Sequence, residues 1–215
     1  MFLILCLIDL VILFFLSRLI TRALSQLIHS KTKRLHLTVT LFSFLLFPGT
    51  LLHELAHYIT AHIVGVRTFD FVLLPKLEEN TVRLGSVSVA KSDSLRRMLI
   101  GVSPLVYGLG IIFFMLWFIY QQQDAEWWQV LVVGILVFQI SNTMFPSKAD
   151  LEGTMPFFIL LLCVLLAGFY LFGYEAAYSL FGLHVFAKTA LYYFSIIVAV
   201  DIAAFITLKI LMVKK

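Results

Sequence analysis

Long apolar runs separated by short polar segments dominate the pattern of this chain. A run of about 20 apolar residues matches a helix that crosses the ~30 Å hydrocarbon core of a bilayer. Six runs are of this kind, with approximate bounds Phe2 to Leu19, Leu37 to Val64, Leu95 to Tyr120, Trp127 to Met144, Pro156 to Tyr174 and Phe186 to Val213. The pattern therefore predicts an all-α polytopic membrane protein with about six transmembrane helices.

Residues 66–91 depart from this pattern. The segments TFDFVLL and TVRLGSVSVA are rich in β-branched and aromatic residues, and the polar stretch PKLEEN between them is suited to a turn. They predict a membrane-associated β-hairpin between the second and third helices. Two interpretations stay open for it: an ordinary surface hairpin, or a sheet edge that pairs with an extended substrate segment.

The second predicted helix contains Pro48 and Gly49 near its middle. Proline removes a backbone hydrogen bond and glycine weakens a helix, so a kink or a break is expected there. Lipid tolerates a broken helix only where its free backbone groups face protein or a water-filled cavity.

The whole chain, residues 1–215, is predicted to form a single integral membrane domain. Its core is residues 37–153, with the hairpin at about 66–91. Residues 1–36 comprise an N-terminal anchor helix and, over residues 20–36, an interfacial amphipathic segment in which basic residues are interspersed with leucines. Residues 154–215 provide two C-terminal helices.

Composition agrees with this class and argues against others. Hydrophobic residues make up 61% of the chain and charged residues only 13%, which is far from a soluble domain. The net charge of +4 fits contact with the anionic headgroups of a lipid bilayer and is no evidence for nucleic-acid binding. The loop distribution of Lys and Arg favours cytoplasmic N- and C-termini, most simply in a prokaryotic cell membrane. The basic residues between positions 18 and 34 would then face outward.

Residues 53–57, which read HELAH, carry the strongest chemical signal. His53 and His57 are four residues apart and therefore stand on one face of a helix, where two imidazoles can bind one Zn²⁺. Glu54 lies beside them as a candidate catalytic base. Ionisable residues are costly within an apolar segment, so this group is interpreted as functional. The alternatives are a chance match and two core histidines that hydrogen-bond to neighbouring helices.

A catalytic zinc usually takes three protein ligands, so the chain must supply one more. His62 lies five residues after His57 and on another face of the helix, so it fits poorly. Glu152 is possible. Asp150 is favoured, because Pro146 breaks the preceding helix and lets the chain turn inward.

Two further polar residues lie in the later predicted helices or at their ends. Asn142 is a candidate to bind the substrate backbone or the developing oxyanion, and its alternative role is a hydrogen bond between helices. Asp201 lies in the middle of the last predicted helix. It either pairs with another helix or lines a water path, and the sequence does not choose between the two.

The ordered set of these motifs resembles the site-2 protease family of intramembrane zinc metalloproteases, in a minimal form without a PDZ domain. The resemblance covers about residues 45–153 and is carried by HELAH, the hairpin, GVSPL near the start of the third helix, and the spacing of Asn142 and Asp150. It implies a zinc endopeptidase with His53, His57 and Asp150 as metal ligands and Glu54 as the catalytic residue. It also implies a transmembrane protein as substrate.

This chain departs from the family's pattern in two places. The family's aspartate is followed directly by glycine, whereas Leu151 and Glu152 separate Asp150 from the next glycine here. The family's Gly-Pro pair corresponds to Gly101 and Pro104, which are separated by two residues. Neither departure touches the two histidines.

The leading hypothesis for function is hydrolysis of peptide bonds within or next to transmembrane segments, as in regulated intramembrane proteolysis. The alternative is a non-proteolytic metal-binding membrane protein, either an inactive relative that binds membrane helices or an ion carrier. Glu54 favours the peptidase, because a binding protein needs no base at that position. A carrier would be expected to show more intramembrane acids than Asp9 and Asp201.

Overall fold

The computed structural model describes residues 2–72, 76–78, 81–83, 85–122, 124–152, 154, 159, 163 and 183–213. Within them the chain is mostly helical and carries four short strands between its third and fourth helices. The helices are α1 (Phe2–Thr32), α2 (Leu35–Leu45), α3 (Phe47–Ile63), α4 (Ser94–Gln121), α5 (Trp127–Ser141) and α6 (Leu183–Val213). The strands are β1 (Thr68–Val72), β2 (Lys76–Glu78), β3 (Thr81–Arg83) and β4 (Ser86–Val89).

The first helix is longer than the sequence pattern predicted. It continues past Leu19 to Thr32, so most of the segment predicted to be interfacial, residues 20–36, belongs to the same helix. Its position at the membrane interface stays a prediction. No glycine or proline interrupts residues 2–32, and the helix ends where Lys33 takes a φ of 53°. At 1.5 Å per residue, such a helix is roughly 46 Å long, which exceeds the hydrocarbon core of a bilayer.

The second predicted helix is broken, as Pro48 and Gly49 indicated. α2 and α3 meet at Leu46 with an angle of 73° between them. Pro48 lies in the first turn of α3, where its missing N–H leaves no hydrogen bond unmade. The Gln139 side chain of α5 donates a 2.7 Å hydrogen bond to the carbonyl oxygen of Leu45, so a backbone group at the break is satisfied.

Gly49 brings the start of α3 into direct contact with α5. A Cβ at this position would lie 2.8 Å from the carbonyl carbon of Gln139, and closer still to the Gln139 oxygen and the Thr143 side chain. Only a residue without a side chain permits this approach. The first turn of α3 is therefore fixed against the C-terminal half of α5.

The strands form two antiparallel pairs. β1 pairs with β4, with Thr68 opposite Val89 and Val72 opposite Ser86, and the register shifts between Thr68 and Phe71. β2 pairs with β3. The predicted turn PKLEEN was too long, because its central residues 76–78 form strand β2. The β1–β4 pair lies against α3, where the rings of Tyr58 and Phe71 meet at 5.6 Å.

Apolar side chains from several helices form the interior. One cluster joins α1 to α6 and consists of Leu16, Ile20, Ala23, Leu24 and Leu208. A larger cluster joins α1, α4, α5 and α6 and includes Leu13, Ile112, Val137, Ile140, Phe194 and Ile197. Many large apolar side chains face outward instead, among them Phe15, Phe44 and Phe114. An outer surface of this kind is suited to lipid.

Two described helices have the length and composition of membrane spans: α4, and α6 over Lys188–Met212. The bent pair α2–α3 makes a third if it is counted as one span. α5 has 15 residues and ends at Ser141, three residues before the predicted end at Met144. The predicted helix from Pro156 to Tyr174 lies outside the described residues, except at positions 159 and 163. Six spans therefore stay a prediction.

Candidate metal centre

His53, His57 and Asp150 lie together at the centre of the structure. The two histidines are one turn apart on α3, and their Nε2 atoms are 3.2 Å from each other. Asp150 lies in the loop after α5, with its carboxylate oxygens 3.6 Å from His53 Nε2 and 3.3 Å from His57 Nε2. One ligand atom from each of the three residues lies within 4.8 Å of the others. Of the candidates for a third ligand, the structure brings Asp150 to the histidines.

The other two candidates lie elsewhere. The His62 Nδ1 atom is hydrogen-bonded to the carbonyl oxygen of Tyr58 on its own helix, and its ring stacks near the Tyr58 ring. Glu152 is exposed and lines a cavity beside the site, but it is not part of the three-residue group. The turn that follows Pro146 thus places Asp150, rather than Glu152, next to the two histidines.

Two backbone carbonyl groups orient the histidine rings. His53 Nδ1 lies 2.7 Å from the carbonyl oxygen of Thr143, and His57 Nδ1 lies 2.8 Å from that of Ile100. A carbonyl oxygen can only accept, so each Nδ1 carries a hydrogen and donates it. A neutral imidazole has one N–H, which leaves a lone pair on each Nε2. This partner on Nδ1 is the arrangement commonly found for histidines that bind a metal through Nε2.

The donor set fits a divalent cation. The Nε2 lone pairs of the two histidines and the carboxylate of Asp150 point toward one another. When both rings are neutral, no hydrogen lies between these groups, and they repel each other. His57 is only 6% exposed, so water does little to reduce this repulsion. A cation among the three groups removes it. Two imidazoles and one carboxylate are ligand types that Zn²⁺ and other divalent transition-metal ions accept.

Short contacts within its own loop fix the position of Asp150. The Ser147 amide donates a 2.6 Å hydrogen bond to Asp150 Oδ2, and the Asp150 amide donates to Ser147 Oγ. Burial raises the pKa of the Asp150 carboxyl group, but hydrogen bonds from the protonated rings of His53 and His57 and from Ser147 lower it more, so that the pKa lies well below the ordinary value. With neutral rings, a divalent cation would take the place of the ring protons as the partner of this carboxylate.

Gly101 of α4 supports the same loop from the other side. A Cβ at Gly101 would collide with the carbonyl oxygen of Asp150 and lie 3.1 Å from its carbonyl carbon. The backbone of Asp150 therefore packs directly on α4, next to the Ile100 carbonyl group that holds His57. This contact gives the GVSPL motif a structural role in the site.

We expect Gly101→Ala to weaken metal binding by at least about tenfold, because the added methyl group must displace the Asp150 backbone and shift a ligand. Gly110→Ala on the same helix is the matched control, since a Cβ there meets nothing within 4 Å. Competition with a chromogenic chelator measures the affinity. Equal affinities in the two variants would contradict the role assigned to Gly101.

Glu54 lies between the histidines and the β4 strand. It is 7% exposed. A Cβ at Gly85 would lie 2.9 Å from Glu54 Cγ and 3.2 Å from its Oε1, so the chain entering β4 passes directly over the carboxyl group. The backbone of Val87 also faces it. Glu54 is thus held beside the metal-ligand group without being one of the three ligands.

Two cavities meet at the site. The larger has a volume of about 900 Å³ and lies between α1, α3 and the loop of Asp150. The smaller has a volume of about 340 Å³ and lies between β4, the start of α4 and the same loop. His57, Val87, Ala149 and Asp150 line both. Both cavities therefore reach His57 and Asp150.

Asn142 and Asp201 contact each other across α5 and α6. Asn142 Nδ2 donates to the Phe138 carbonyl oxygen at 2.8 Å and to Asp201 Oδ1 at 3.0 Å. Ser141 Oγ lies 3.2 Å from both carboxylate oxygens of Asp201, which is 0% exposed. Asp201 therefore pairs with another helix. The helix–helix hydrogen bond considered for Asn142 is present, and its contact with substrate stays a prediction.

We expect Asp201→Leu to lower the free energy of unfolding by about 1–2 kcal/mol, because it leaves the Asn142 amide and the Ser141 hydroxyl group without their shared acceptor. Asp201→Asn keeps one acceptor oxygen and is expected to lose less. Thermal unfolding in detergent measures both. A leucine variant as stable as the wild type would show that this contact contributes nothing to stability.

Some parts of the site gave little signal in the sequence. The carbonyl groups of Ile100 and Thr143 are backbone atoms, which any residue supplies. The wall that α1 contributes to the larger cavity had a weak signal, namely polar residues spaced four apart from Ser17 to Gln26. That spacing marks one face of a helix and would have indicated a polar surface.

Comparisons of the chain with protein-family models, curated proteins and solved structures found no match.

Proposed function

We propose that this protein is an intramembrane zinc endopeptidase that hydrolyses peptide bonds within or next to transmembrane segments. The convergence of His53, His57 and Asp150 next to Glu54 is the observation that supports it most directly. Hydrolysis at such a site needs two neutral imidazoles, a carboxylate and a separate base, and these four groups are all present.

The proposed roles follow from the hydrogen bonds of each residue. His53 and His57 would hold Zn²⁺ through Nε2, in the orientation set by the carbonyl groups on their Nδ1 atoms, and Asp150 would complete the set. Zn²⁺ bound there supplies Lewis acidity toward a carbonyl oxygen and toward water. Glu54 takes the proton of the attacking water and passes it to the leaving amine.

The free edge of β4 supports binding of an extended substrate. β4 pairs with β1 on one side, and no other described strand pairs with it. Val87 and Val89 of this strand line the smaller cavity beside the site. A transmembrane helix hides its carbonyl groups in hydrogen bonds and must unwind before it is cut. Pairing with β4 would replace the hydrogen bonds that unwinding breaks.

The proposal includes a multi-pass membrane domain with about six spans. The helices that qualify by length and composition support it, as do the large apolar side chains on the outer surface. The proposed partners are a transmembrane protein substrate and the lipid bilayer. The charge distribution of the loops favours cytoplasmic termini in a prokaryotic cell membrane.

Reconstitution with candidate substrates tests the function. The purified protein is incorporated into liposomes with a panel of single-span membrane proteins, and new chain ends are identified by mass spectrometry. We expect cuts within or next to the spans, lost with a zinc chelator and restored by Zn²⁺. Zinc-loaded protein that cuts no member of a broad panel would favour the non-proteolytic metal-binding alternative.

A further inference from the structure

One face of α1 forms a polar wall of the larger cavity. It consists of two rows spaced four residues apart, and both rows line the cavity: Ser17, Thr21 and Ser25, and Arg18, Arg22 and Gln26. The opposite face of the same helix carries Ile20, Ala23 and Leu24, which are buried against α6. Packing of the apolar face therefore holds the polar face toward the site.

The charged hydrogen-bond donors on this wall are its two arginines. The hydroxyl groups of Ser17 and Thr21 donate to carbonyl oxygens of their own helix, at 2.9 and 2.8 Å. Arg18 donates one hydrogen bond to the Pro146 carbonyl oxygen at 3.3 Å, and its guanidinium lies 5.4 Å from the centre of the Phe14 ring. A guanidinium has five N–H donors, so most of those on Arg18 have no partner among the described residues.

The charges of the larger cavity are unbalanced. Its basic residues are Arg18, Arg22 and Lys148, and its acids are Glu54 and Asp150. Asp150 faces the two histidines and Ser147, and Glu54 lies under β4. Within the described part of the chain, neither arginine forms an ion pair with an acid. The wall therefore presents uncompensated positive charge to whatever enters the cavity.

We propose that Arg18 and Arg22 select substrates that carry Asp or Glu side chains next to the segment that is cut. This inference rests on the proposed function and names its substrate class. Arginine forms bidentate hydrogen bonds with carboxylates, and its charge repels a basic segment. A flank that carries Lys or Arg is thereby disfavoured, and one that carries Asp or Glu is favoured.

The position of Arg18 favours a peptide over a lipid headgroup as the ligand. Its hydrogen bond to Pro146 ties it to the loop that carries Asp150, four residues further on. Arg22 lies one helical turn away and lines the same cavity as Glu54 and both histidines. A carboxylate held by these arginines therefore shares a cavity with the peptide bond that is to be hydrolysed.

Binding of two matched peptides tests the inference. Both are synthetic single-span peptides with a fluorescent label, identical except for three Glu or three Lys residues at one flank. Their binding to Glu54→Gln protein is measured by anisotropy in neutral detergent at low salt. We expect the Glu peptide to bind about three- to tenfold tighter. The double variant Arg18→Gln/Arg22→Gln should abolish this preference. The double variant Arg18→Glu/Arg22→Glu should reverse it. The Arg34→Gln/Arg67→Gln pair is the charge-matched control, because it also removes two positive charges and neither residue lines either cavity.

Cleavage of the same peptides by wild-type protein separates the inference from the proposed function. If the Glu peptide binds more tightly but neither peptide is cleaved, the result would contradict proteolysis and support the arginines as a binding site for acidic ligands. Equal binding of both peptides, with cleavage of both, would overturn the inference alone. The double variant could instead keep the peptide preference and lose binding to vesicles that contain phosphatidylglycerol. That result would show that the arginines contact lipid, and it would also overturn the inference.

Discussion

Glu54→Gln is expected to abolish peptide hydrolysis and leave metal binding intact. Glutamine has the shape of glutamate, so it fits under Gly85 and Val87, but it does not accept the proton of the attacking water. Loss of a general base lowers a rate by about 10²–10⁴-fold. Since Glu54 is not one of the three ligands, the metal content should not change.

The measurement is the rate at which new chain ends appear in reconstituted protein, with the metal content of each sample determined in parallel. Glu152→Gln is the matched control, because Glu152 lines the smaller cavity but does not belong to the three-residue group. It should retain cleavage. A Glu54→Gln variant that still cuts would remove Glu54 as the base.

His57→Ala is expected to lower metal affinity more than any change outside the ligand set. Substitution of a residue that only orients a ligand typically costs 10- to 100-fold in affinity, and loss of a ligand should exceed about 100-fold. His57 is buried and its ring is oriented by the Ile100 carbonyl group, and alanine supplies no ligand atom in its place. Cleavage should disappear together with the metal.

His62→Ala on the same helix is the control for this variant. It removes the same side chain from a position where Nδ1 bonds only to the Tyr58 carbonyl oxygen. Zinc affinity by chelator competition should match that of the wild type. A large loss in His62→Ala, or none in His57→Ala, would show that the metal ligands have been misassigned.

The sequence predicted the parts of the site that depend on local geometry. The spacing of His53 and His57 places both on one helix face, and the helix is present. Pro48 predicted the break that starts α3. Asp150 was favoured over Glu152 because Pro146 turns the chain, and the turn brings Asp150 to the histidines.

Contacts between distant segments were beyond the sequence pattern. Basic residues after Leu19 suggested a lipid interface, and the pattern did not show that Ile20 and Leu24 pack against Leu208 or that Arg22 lines the larger cavity. Arg18 and Pro146 are 128 residues apart, and no periodicity connects them. The carbonyl partners of the histidines have no side-chain signal at all.

The metal content of detergent-purified protein tests the central claim most directly. Elemental mass spectrometry is applied to the wild type, Asp150→Ala and Glu152→Ala. The expected result is about one zinc per chain in the wild type and in Glu152→Ala, with zinc lost from Asp150→Ala. No zinc in the wild type, even after zinc is supplied, would reduce HELAH to a pair of packed histidines and contradict the proposed peptidase.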